Sequence, residues 1–203
     1  MPRIAPPKVF EMCLFGHPCL REKAEPVDVK DPELAEFCAR LVETMRYENG
    51  IGLAAPQIGY SKRIFVIEIP EVGEEEEEVR TLTPGEQFFG SQPAALLNPQ
   101  LTDFSTQETD FVEGCLSIPE LTGTVNRPEF VSLTATLADG RTVNNLRCGG
   151  LLARCLQHEY DHLEGVLFVD LISDEDLAGL KPDLKRMERK TAAQLRRNKK
   201  RRR

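Results

Sequence analysis

The chain has 203 residues, of which 40% are hydrophobic and 29% charged, a composition typical of a globular protein. This length is sufficient for one domain with its own core, and no apolar run is long enough to span a bilayer. The first sixteen residues, MPRIAPPKVFEMCLFG, lack the apolar stretch and cleavage site of a secretory signal, and the acidic sequence after them argues against a transit peptide. We therefore expect a cytoplasmic protein with no membrane partner.

The formal net charge of −7 conceals a strong asymmetry along the chain. Residues 181–203 contain twelve Lys or Arg and two acidic residues, a net charge of +10, so the preceding 180 residues carry −17. Basic ends of this kind bind nucleic acid in some proteins and are simply solvated in others, and composition favours neither. We predict a single domain over residues 1–180 and a basic C-terminal tail over 181–203, helical in part.

The first predicted element is an amphipathic helix after Asp31-Pro32, a pair that suits a helix start. Its apolar residues recur at helical spacing: Leu34, Phe37, Cys38, Leu41, Val42 and Met45. The glycine-rich loop ENGIGLAAPQIG follows, and RIFVIEI is typical of a strand. Residues 71–92 include five consecutive glutamates and predict an acidic, partly mobile surface insertion, most simply a solvated loop.

The second half of the chain alternates short strands with one helix. AALLNPQL and FVEGCLSIPEL have strand character, and FVSLTATLADGRTVNNLRC predicts a hairpin that turns at Asp139-Gly140. GGLLARCLQHEYDHLEG predicts a helix that ends near Gly165, and VLFVDLI a short apolar strand or turn. Ser173 begins a possible capping box. Because strands and helices do not alternate as regular βαβ units, the predicted fold class is α+β.

The predicted helix in the second half carries the pattern H-E-x-x-H. His158 and His162 lie four residues apart, which places both imidazoles on one helix face, with Glu159 one step round. A divalent metal lowers the pKa of a bound water to roughly 7, and a neighbouring carboxylate can then move the proton. The alternative is two surface histidines at a chance spacing. The helical context and the presence of only one other histidine argue against it.

A catalytic metal needs a third protein ligand, and several candidates fail. His17 is most simply an exposed turn residue. The metzincin pattern would continue to a third histidine, but Phe168 occupies that position. A glutamate on a later helix, as in thermolysin-like enzymes, is a poor option because only 41 residues follow His162 and most belong to the basic tail.

Two cysteines remain as candidates for the third ligand. A metal shared by the two histidines lies near the level of residue 160, so Cys155 is roughly 7.5 Å away along the helix axis. A cysteine reaches from Cα to metal at most ~5.6 Å, so Cys155 is expected to pack beneath the site. Cys115 is the better ligand, and Gly114 before it permits a close backbone approach. One thiolate with two imidazoles suits Zn²⁺ or Fe²⁺.

Three motifs occur in order, GIGLAAPQ (50–57), EGCLS (113–117) and QHEYDH (157–162), and they resemble the three signature motifs of peptide deformylase. GHPCLREKAEPV (16–27) is similar to the N-terminal stretch of that family, so the resemblance covers about residues 14–172. It implies an α+β, peptide-deformylase-like fold with mixed or antiparallel strands around a central H-E-x-x-H helix. An N-terminal helix and a basic C-terminal helix complete the expected fold.

The resemblance also implies the chemistry of the site. The reaction would remove formate from the N-formyl-methionine of nascent chains, with one divalent metal, Fe²⁺ in the cell and Zn²⁺, Ni²⁺ or Co²⁺ in preparations. The implied metal ligands are Cys115, His158 and His162. Glu159 would be the general acid/base, and the Gln57 side chain and the Leu116 backbone N–H would form the oxyanion hole.

A predicted substrate-binding set surrounds these motifs. Gly50, Ile51 and Gly52 could pair with an extended peptide by strand addition, and Gly114 and Cys155 would lie beside it. Arg154 departs from the family pattern, which often has an apolar residue there in the methionine pocket. We expect its guanidinium to reach outward to solvent along its apolar stem. Glu113 is a possible partner of Arg127.

The basic tail suggests a partner. Some deformylases resemble this chain in having a C-terminal helix that docks on the ribosome, so we predict contact between residues 181–203 and ribosomal RNA through phosphate charge, and no DNA partner. Two other functions remain open. A zinc peptidase would cleave ordinary peptide bonds with the same groups. A non-catalytic RNA- or ribosome-binding protein would need a structural metal with four protein ligands, and only three good ones are present.

Overall fold

Two antiparallel sheets form the framework of the computed structural model, which describes residues 9–71 and 81–201. The strands in chain order are β1 (Gly52–Ala54), β2 (Ile64–Ile67), β3 (Ala94–Thr102), β4 (Glu108–Cys115), β5 (Ile118–Pro128), β6 (Val131–Leu137) and β7 (Thr142–Cys148). The larger sheet has the order β1-β2-β3-β6-β7, and β4 pairs with β5 in a separate two-stranded sheet. Strand β1 is therefore an edge strand.

Four α-helices accompany the sheets in the described residues: α1 (Leu34–Tyr47), α2 (Pro84–Phe89), α3 (Gly150–Leu163) and α4 (Asp174–Arg201). Short 3₁₀ helices cover Pro18–Arg21, Ala55–Ile58 and Phe168–Asp170. Helix α3 shares a core with one face of the large sheet, and α1 shares a second core with β1 and β2. This arrangement confirms the predicted α+β class, with antiparallel strands around the H-E-x-x-H helix. The one parallel pairing in the described residues is a bridge between Glu25 and Lys62.

Local sequence explains the elements that were predicted well. Strand β6 alternates between buried and half-exposed residues from Leu133 to Leu137, and Gly140, with φ of 86°, turns the chain into β7. Helix α3 buries Leu152, Leu156 and Leu163 on one face. The helix ends before Gly165, whose φ of 75° fits the predicted stop.

The ends of three predicted elements differ in how well they agree with the structure. Helix α1 begins at Leu34 and not directly after Asp31, because the Asp31 carboxylate accepts the Glu33 N–H at 2.9 Å and forms a turn. Of the two alternatives for VLFVDLI, the turn is right, as a 3₁₀ helix. Ser173 does cap α4, since its hydroxyl accepts the Asp176 N–H at 3.1 Å.

The structure describes the predicted insertion at 71–92 only in part. Residues 72–80, with the glutamate run, lie outside the described part. The remainder contains α2, which starts at a reciprocal cap between Thr83 and Glu86. Phe89 is buried in the main core. This stretch therefore packs and is not simply solvated.

Helix α4 crosses the boundary that was predicted at residue 181. It continues through Pro182 as one helix from Asp174. Leu184 and Thr191, on the supposed tail, are buried. The sequence did not predict that this segment packs against the domain, because its few apolar residues form a narrow stripe among many charged ones. In the described residues, no helix has both the length and the apolar character required to cross a membrane.

Candidate metal centre and active site

Helix α3 and the end of strand β4 bring three metal-ligating side chains together. The rings of His158 and His162 are 5.1 Å apart, centroid to centroid, and the Cys115 Sγ lies 3.3 Å from His162 Nε2. One donor atom from each residue lies within 4.8 Å of the others. The β4–β5 pairing shifts register between Gly114 and Cys115. A register shift of this kind re-aims a side chain, here towards α3.

A buried charge network holds His158 in place. The Glu113 carboxylate contacts His158 Nδ1 at 2.9 Å and accepts two hydrogen bonds from Arg127 at 2.7 and 2.9 Å. Burial alone would raise the pKa of Glu113, but the hydrogen bonds from His158 and Arg127 outweigh it and lower that pKa to about 2. Arg127 also donates to Asp161 at 2.7 Å. With its Nδ1 bound to a carboxylate, His158 offers Nε2 to a metal, as metal-ligating histidines usually do.

Glu159 is enclosed beside the three predicted ligands. Its side chain is buried, and burial raises its pKa to about 7. Its Oε2 has no hydrogen-bond partner within the described ranges. Strand β1 lies directly against the carboxylate, because a Cβ added to Gly52 would be 2.3 Å from Glu159 Oε1. Only glycine leaves room for the carboxylate at this position.

Gln57 reaches the same place from the turn after β1. Its Oε1 accepts the Ala54 N–H at 2.8 Å, and its Nε2 donates to Ser117 Oγ at 3.2 Å. The same Nε2 lies 3.5 Å from Cys115 Sγ. The side chain is 2% exposed, so its direction is fixed by these contacts. Leu116 follows Cys115 in the turn between β4 and β5.

A cavity of about 600 Å³ opens over these groups. All six residues of the predicted substrate-binding set line it: Gly50, Ile51, Gly52, Gly114, Arg154 and Cys155. Gln57, Cys115, Leu116, His158 and Glu159 line it as well. His162, the remaining predicted ligand, is buried behind them.

Cys155 and Arg154 occupy this cavity in different ways. The Cys155 thiol donates to the Ile51 carbonyl at 3.6 Å and lies under Gly52, which agrees with packing beneath the site. The expectation that Arg154 reaches solvent is wrong. Its side chain is 9% exposed, and its guanidinium donates to Glu113 and to the Val125 and Thr109 carbonyls at 3.2, 3.0 and 2.7 Å. The Glu113 carboxylate and two carbonyl groups of the two-stranded sheet hold it inward.

Sequence reasoning missed three contributors to the site. Ser117 is fully buried and orients Gln57. Glu113 was considered only as a partner of Arg127, although it also holds His158. Asp161 anchors the far side of Arg127. Their closeness in sequence to the predicted ligands could have identified them. Glu113 and Ser117 each lie two residues from Cys115, and Asp161 lies inside the H-E-x-x-H motif.

The residues present fit a bound divalent metal. A thiolate and two imidazoles are donors that Zn²⁺ and Fe²⁺ accept, one imidazole has a carboxylate on its other nitrogen, and three protein ligands leave a position open towards the cavity. A buried carboxylate without a full set of partners stands beside that position. Fold and site together define a metal-dependent hydrolase.

Comparison with known proteins identifies the family. The family model described as Polypeptide deformylase matches residues 9–178. The peptide deformylase of Roseiflexus castenholzii is 43% identical over 76% of this chain and 82% of its own length, and that of Salinibacter ruber 37% identical over 81% of each.

Solved structures agree. The peptide deformylase of Ehrlichia chaffeensis has a TM-score of 0.77 at 30% identity, covering 90% of this chain and 98% of its own. That of Synechococcus elongatus in complex with actinonin has a TM-score of 0.71 at 36% identity, covering 89% and 90%. The chain therefore belongs to the peptide deformylase family, as its motifs predicted. Members of this family are metal-dependent hydrolases that remove the formyl group from the N-formyl-methionine of nascent polypeptides.

Proposed function

We propose that the chain deformylates nascent polypeptides with one divalent metal held by Cys115, His158 and His162, and that this metal is Fe²⁺ in the cell, with Zn²⁺, Ni²⁺ or Co²⁺ as substitutes. The observation that carries the proposal is the convergence of the three donor atoms within 4.8 Å beside a buried carboxylate. A metal bound there would supply Lewis acidity and lower the pKa of a coordinated water to about 7.

In this proposal Glu159 moves the proton. Water adds to the formyl carbon, the C–N bond breaks, and formate leaves with the added oxygen. Glu159 takes the proton of the attacking water and delivers it to the leaving amine nitrogen. Its buried position against Gly52 and its unpartnered Oε2, within the described residues, support this role because the carboxylate is fixed and still able to accept a hydrogen bond.

The Gln57 side chain and the Leu116 backbone N–H are the proposed donors to the oxyanion that forms on the formyl oxygen. Because Ala54 N–H occupies the Gln57 Oε1, the amide NH₂ is directed towards Cys115 and the cavity. A fixed donor of this kind contributes about 3 kcal/mol to the barrier reduction. The Gln57 amide hydrogen that Ser117 Oγ accepts would be donated to the substrate oxyanion instead, or shared between the two oxygens.

The formyl-peptide is proposed to add as a strand to the free edge of β1. Gly50, Ile51 and Gly52 would supply its hydrogen bonds through their backbone groups other than the Gly50 N–H and the Ile51 carbonyl, which bond to Met45 and Glu68. The methionine side chain would enter the cavity between Gly114, Arg154 and Cys155. The Synechococcus elongatus relative was solved with actinonin, and we propose that the same compound occupies this cavity here.

Formate release tests the proposal directly. Protein prepared anaerobically with Fe²⁺ is assayed on formyl-Met-Ala beside the variants Glu159→Gln and Cys115→Ser, with Cys148→Ser as a buried cysteine control. We expect rapid release by the unchanged protein and the control, and loss in both site variants. Acetyl-Met-Ala separates the zinc peptidase alternative, which would cleave the Met-Ala bond of either peptide. Metal that stays tightly bound without formate release would refute the catalytic proposal and leave a structural metal.

We further propose that residues 181–203 contact ribosomal RNA. Helix α4 packs through Leu184 and Thr191, while its basic side chains up to Lys199 are exposed. The family model ends at residue 178, so this segment is an addition to the matched region. A helix with one packed face and one basic face suits phosphate contact.

The predicted cytoplasmic location and the one-domain layout remain predictions.

Co-sedimentation with ribosomes at several salt concentrations tests the helix. Because deletion would also remove Leu184 from its packing, the variant neutralises Arg196, Arg197 and Lys199 to Gln. Each lost phosphate contact should make the plot of log K against log salt concentration less steep by about 0.7–0.9. Loss of three contacts should therefore reduce the slope by about 2–3. Lys30→Gln, an exposed change elsewhere, is the control. Equal binding and equal salt slope in the triple variant would refute the contact.

A further inference from the structure

A second cluster of metal-ligating side chains lies behind the active site. Cys13, His17 and Cys19 each place a ligand atom within 4.8 Å of the other two, the same criterion that Cys115, His158 and His162 satisfy. The two clusters share no residue. The second has two thiols and one imidazole, whereas the first has one thiol and two imidazoles.

Local structure brings these three residues together. His17 is the N-cap of the 3₁₀ helix Pro18–Arg21, and its Nδ1 accepts the Cys19 N–H at 3.3 Å. This cap holds the imidazole and the Cys19 side chain in one turn. Cys13 comes from the preceding segment, which is fixed because the Cys13 N–H donates to the Gln57 carbonyl at 2.7 Å. These contacts place the Cys13, His17 and Cys19 side chains next to one another.

The cluster is reachable from solvent. Cys13 and His17 are half-buried and line a cavity of about 540 Å³ between the N-terminal segment and helix α4, where Thr191 and Gln194 form the other wall. Cys19 is buried beneath them. An ion can enter from this cavity, and its fourth position would face solvent there.

We propose that Cys13, His17 and Cys19 form a second metal site for a thiophilic divalent cation such as Zn²⁺. Soft thiolates with an imidazole select Zn²⁺ over Mg²⁺ and Ca²⁺, which prefer oxygen ligands. With Zn–S bonds of about 2.3 Å, tetrahedral ligands lie about 3.8 Å apart, which is within the 4.8 Å span of this cluster. Binding replaces the His17 cap bond to Cys19 N–H and ionises both thiols.

The site would act on the turn that carries Gln57. The Cys19 thiol donates to the Pro56 carbonyl at 3.3 Å, and the Cys13 N–H donates to the Gln57 carbonyl. A bound metal would break the bond from the Cys19 thiol to the Pro56 carbonyl, because the ionised thiol has no proton to donate. It would also fix Cys13, whose N–H donates to the Gln57 carbonyl. Occupancy of the second metal site is therefore linked to the position of the 3₁₀ helix Ala55–Ile58.

Metal stoichiometry tests the proposal. Full-length protein, reduced with a phosphine, is equilibrated with Zn²⁺, freed of excess ion and analysed by elemental mass spectrometry. We expect two Zn²⁺ per chain in the unchanged protein and in the Cys148→Ser control. One should remain in Cys13→Ser/Cys19→Ser and one in Cys115→Ser, and none when all three changes are combined.

Cobalt provides a second readout that distinguishes the two sites. In Co²⁺-loaded Cys115→Ser, the remaining ion should show thiolate-to-cobalt charge transfer from two sulfurs, and in the double serine variant from one. His17→Ala changes a half-buried turn residue, and the fold should tolerate it. It should lower the metal affinity of the second metal site by more than the roughly 10- to 100-fold that is lost when a residue behind a ligand is changed. One Zn²⁺ in the unchanged protein, or the same number in the unchanged protein and the double serine variant, would overturn the proposal.

Discussion

Replacing Gly52 with alanine probes how closely strand β1 holds Glu159. The added Cβ would lie 2.3 Å from Glu159 Oε1 and 2.8 Å from Cys155 Sγ. The φ of Gly52 is not positive, so the backbone itself accepts alanine and the effect is steric. Restoring an ordinary non-bonded separation moves the carboxylate by about 1 Å. A displacement of this size at a reacting group costs about 10²-fold in rate, and overpacking costs about 1–3 kcal/mol of stability.

The assay for Gly52→Ala is formate release from formyl-Met-Ala, with metal content and thermal unfolding measured on the same preparations. We expect a rate about 10²-fold lower with the metal retained, because none of the three nearest atoms to the added Cβ belongs to a proposed metal ligand. Gly179→Ala is the control, since a Cβ there meets no atom within 4 Å. An unchanged rate with unchanged metal content would refute the reasoning, and so would loss of the metal itself.

Three further changes have defined outcomes. Arg127→Met should lower the free energy of unfolding by about 3–5 kcal/mol and weaken metal binding about 10- to 100-fold, because Glu113 would be buried without its main partner while holding His158. Arg154→Ile should tighten binding of a methionine-like inhibitor such as actinonin, and should cost about 1–3 kcal/mol of stability for each acceptor left unpaired, measured by calorimetry and denaturant unfolding. Burial raises the pKa of Cys38 from 9.0 to about 11, so the unfolded thiol ionises first and stability should fall by about 2–3 kcal/mol as pH rises from 9 through 11, a loss absent from Cys38→Ala.

Each of these outcomes can fail in a recognisable way. Equal metal affinity in Arg127→Met would show that Glu113 does not orient His158. An unchanged inhibitor affinity in Arg154→Ile would show that residue 154 does not limit the methionine pocket. Parallel alkaline stability curves for the unchanged protein and Cys38→Ala would show that this thiol ionises equally in the folded and unfolded states.

Local patterns in the sequence predicted much of the fold. Helix α3 and the β6–β7 hairpin follow from periodicity and turn residues that lie within each element, and the motif order predicted the family. The three-residue strand β1 and the continuous helix α4 did not follow, since neither has a pattern that stands out from its surroundings. The direction of Arg154 could not be predicted, because its partners Thr109 and Val125 lie 45 and 29 positions away in sequence.

The distances along the chain between the site residues govern when the site can assemble. Gln57 and Cys115 are 58 positions apart, Cys115 and His162 are 47 apart, and Cys155 reaches back 104 positions to Ile51. Each separation closes a long loop whose entropy is recovered only when sheets and helix are docked together. A partly synthesised chain that ends before α3 contains only Cys115 of the three proposed ligands. On the proposed ligand set, metal uptake at this centre therefore requires α3, and an emerging copy of this enzyme stays inactive until that helix is released.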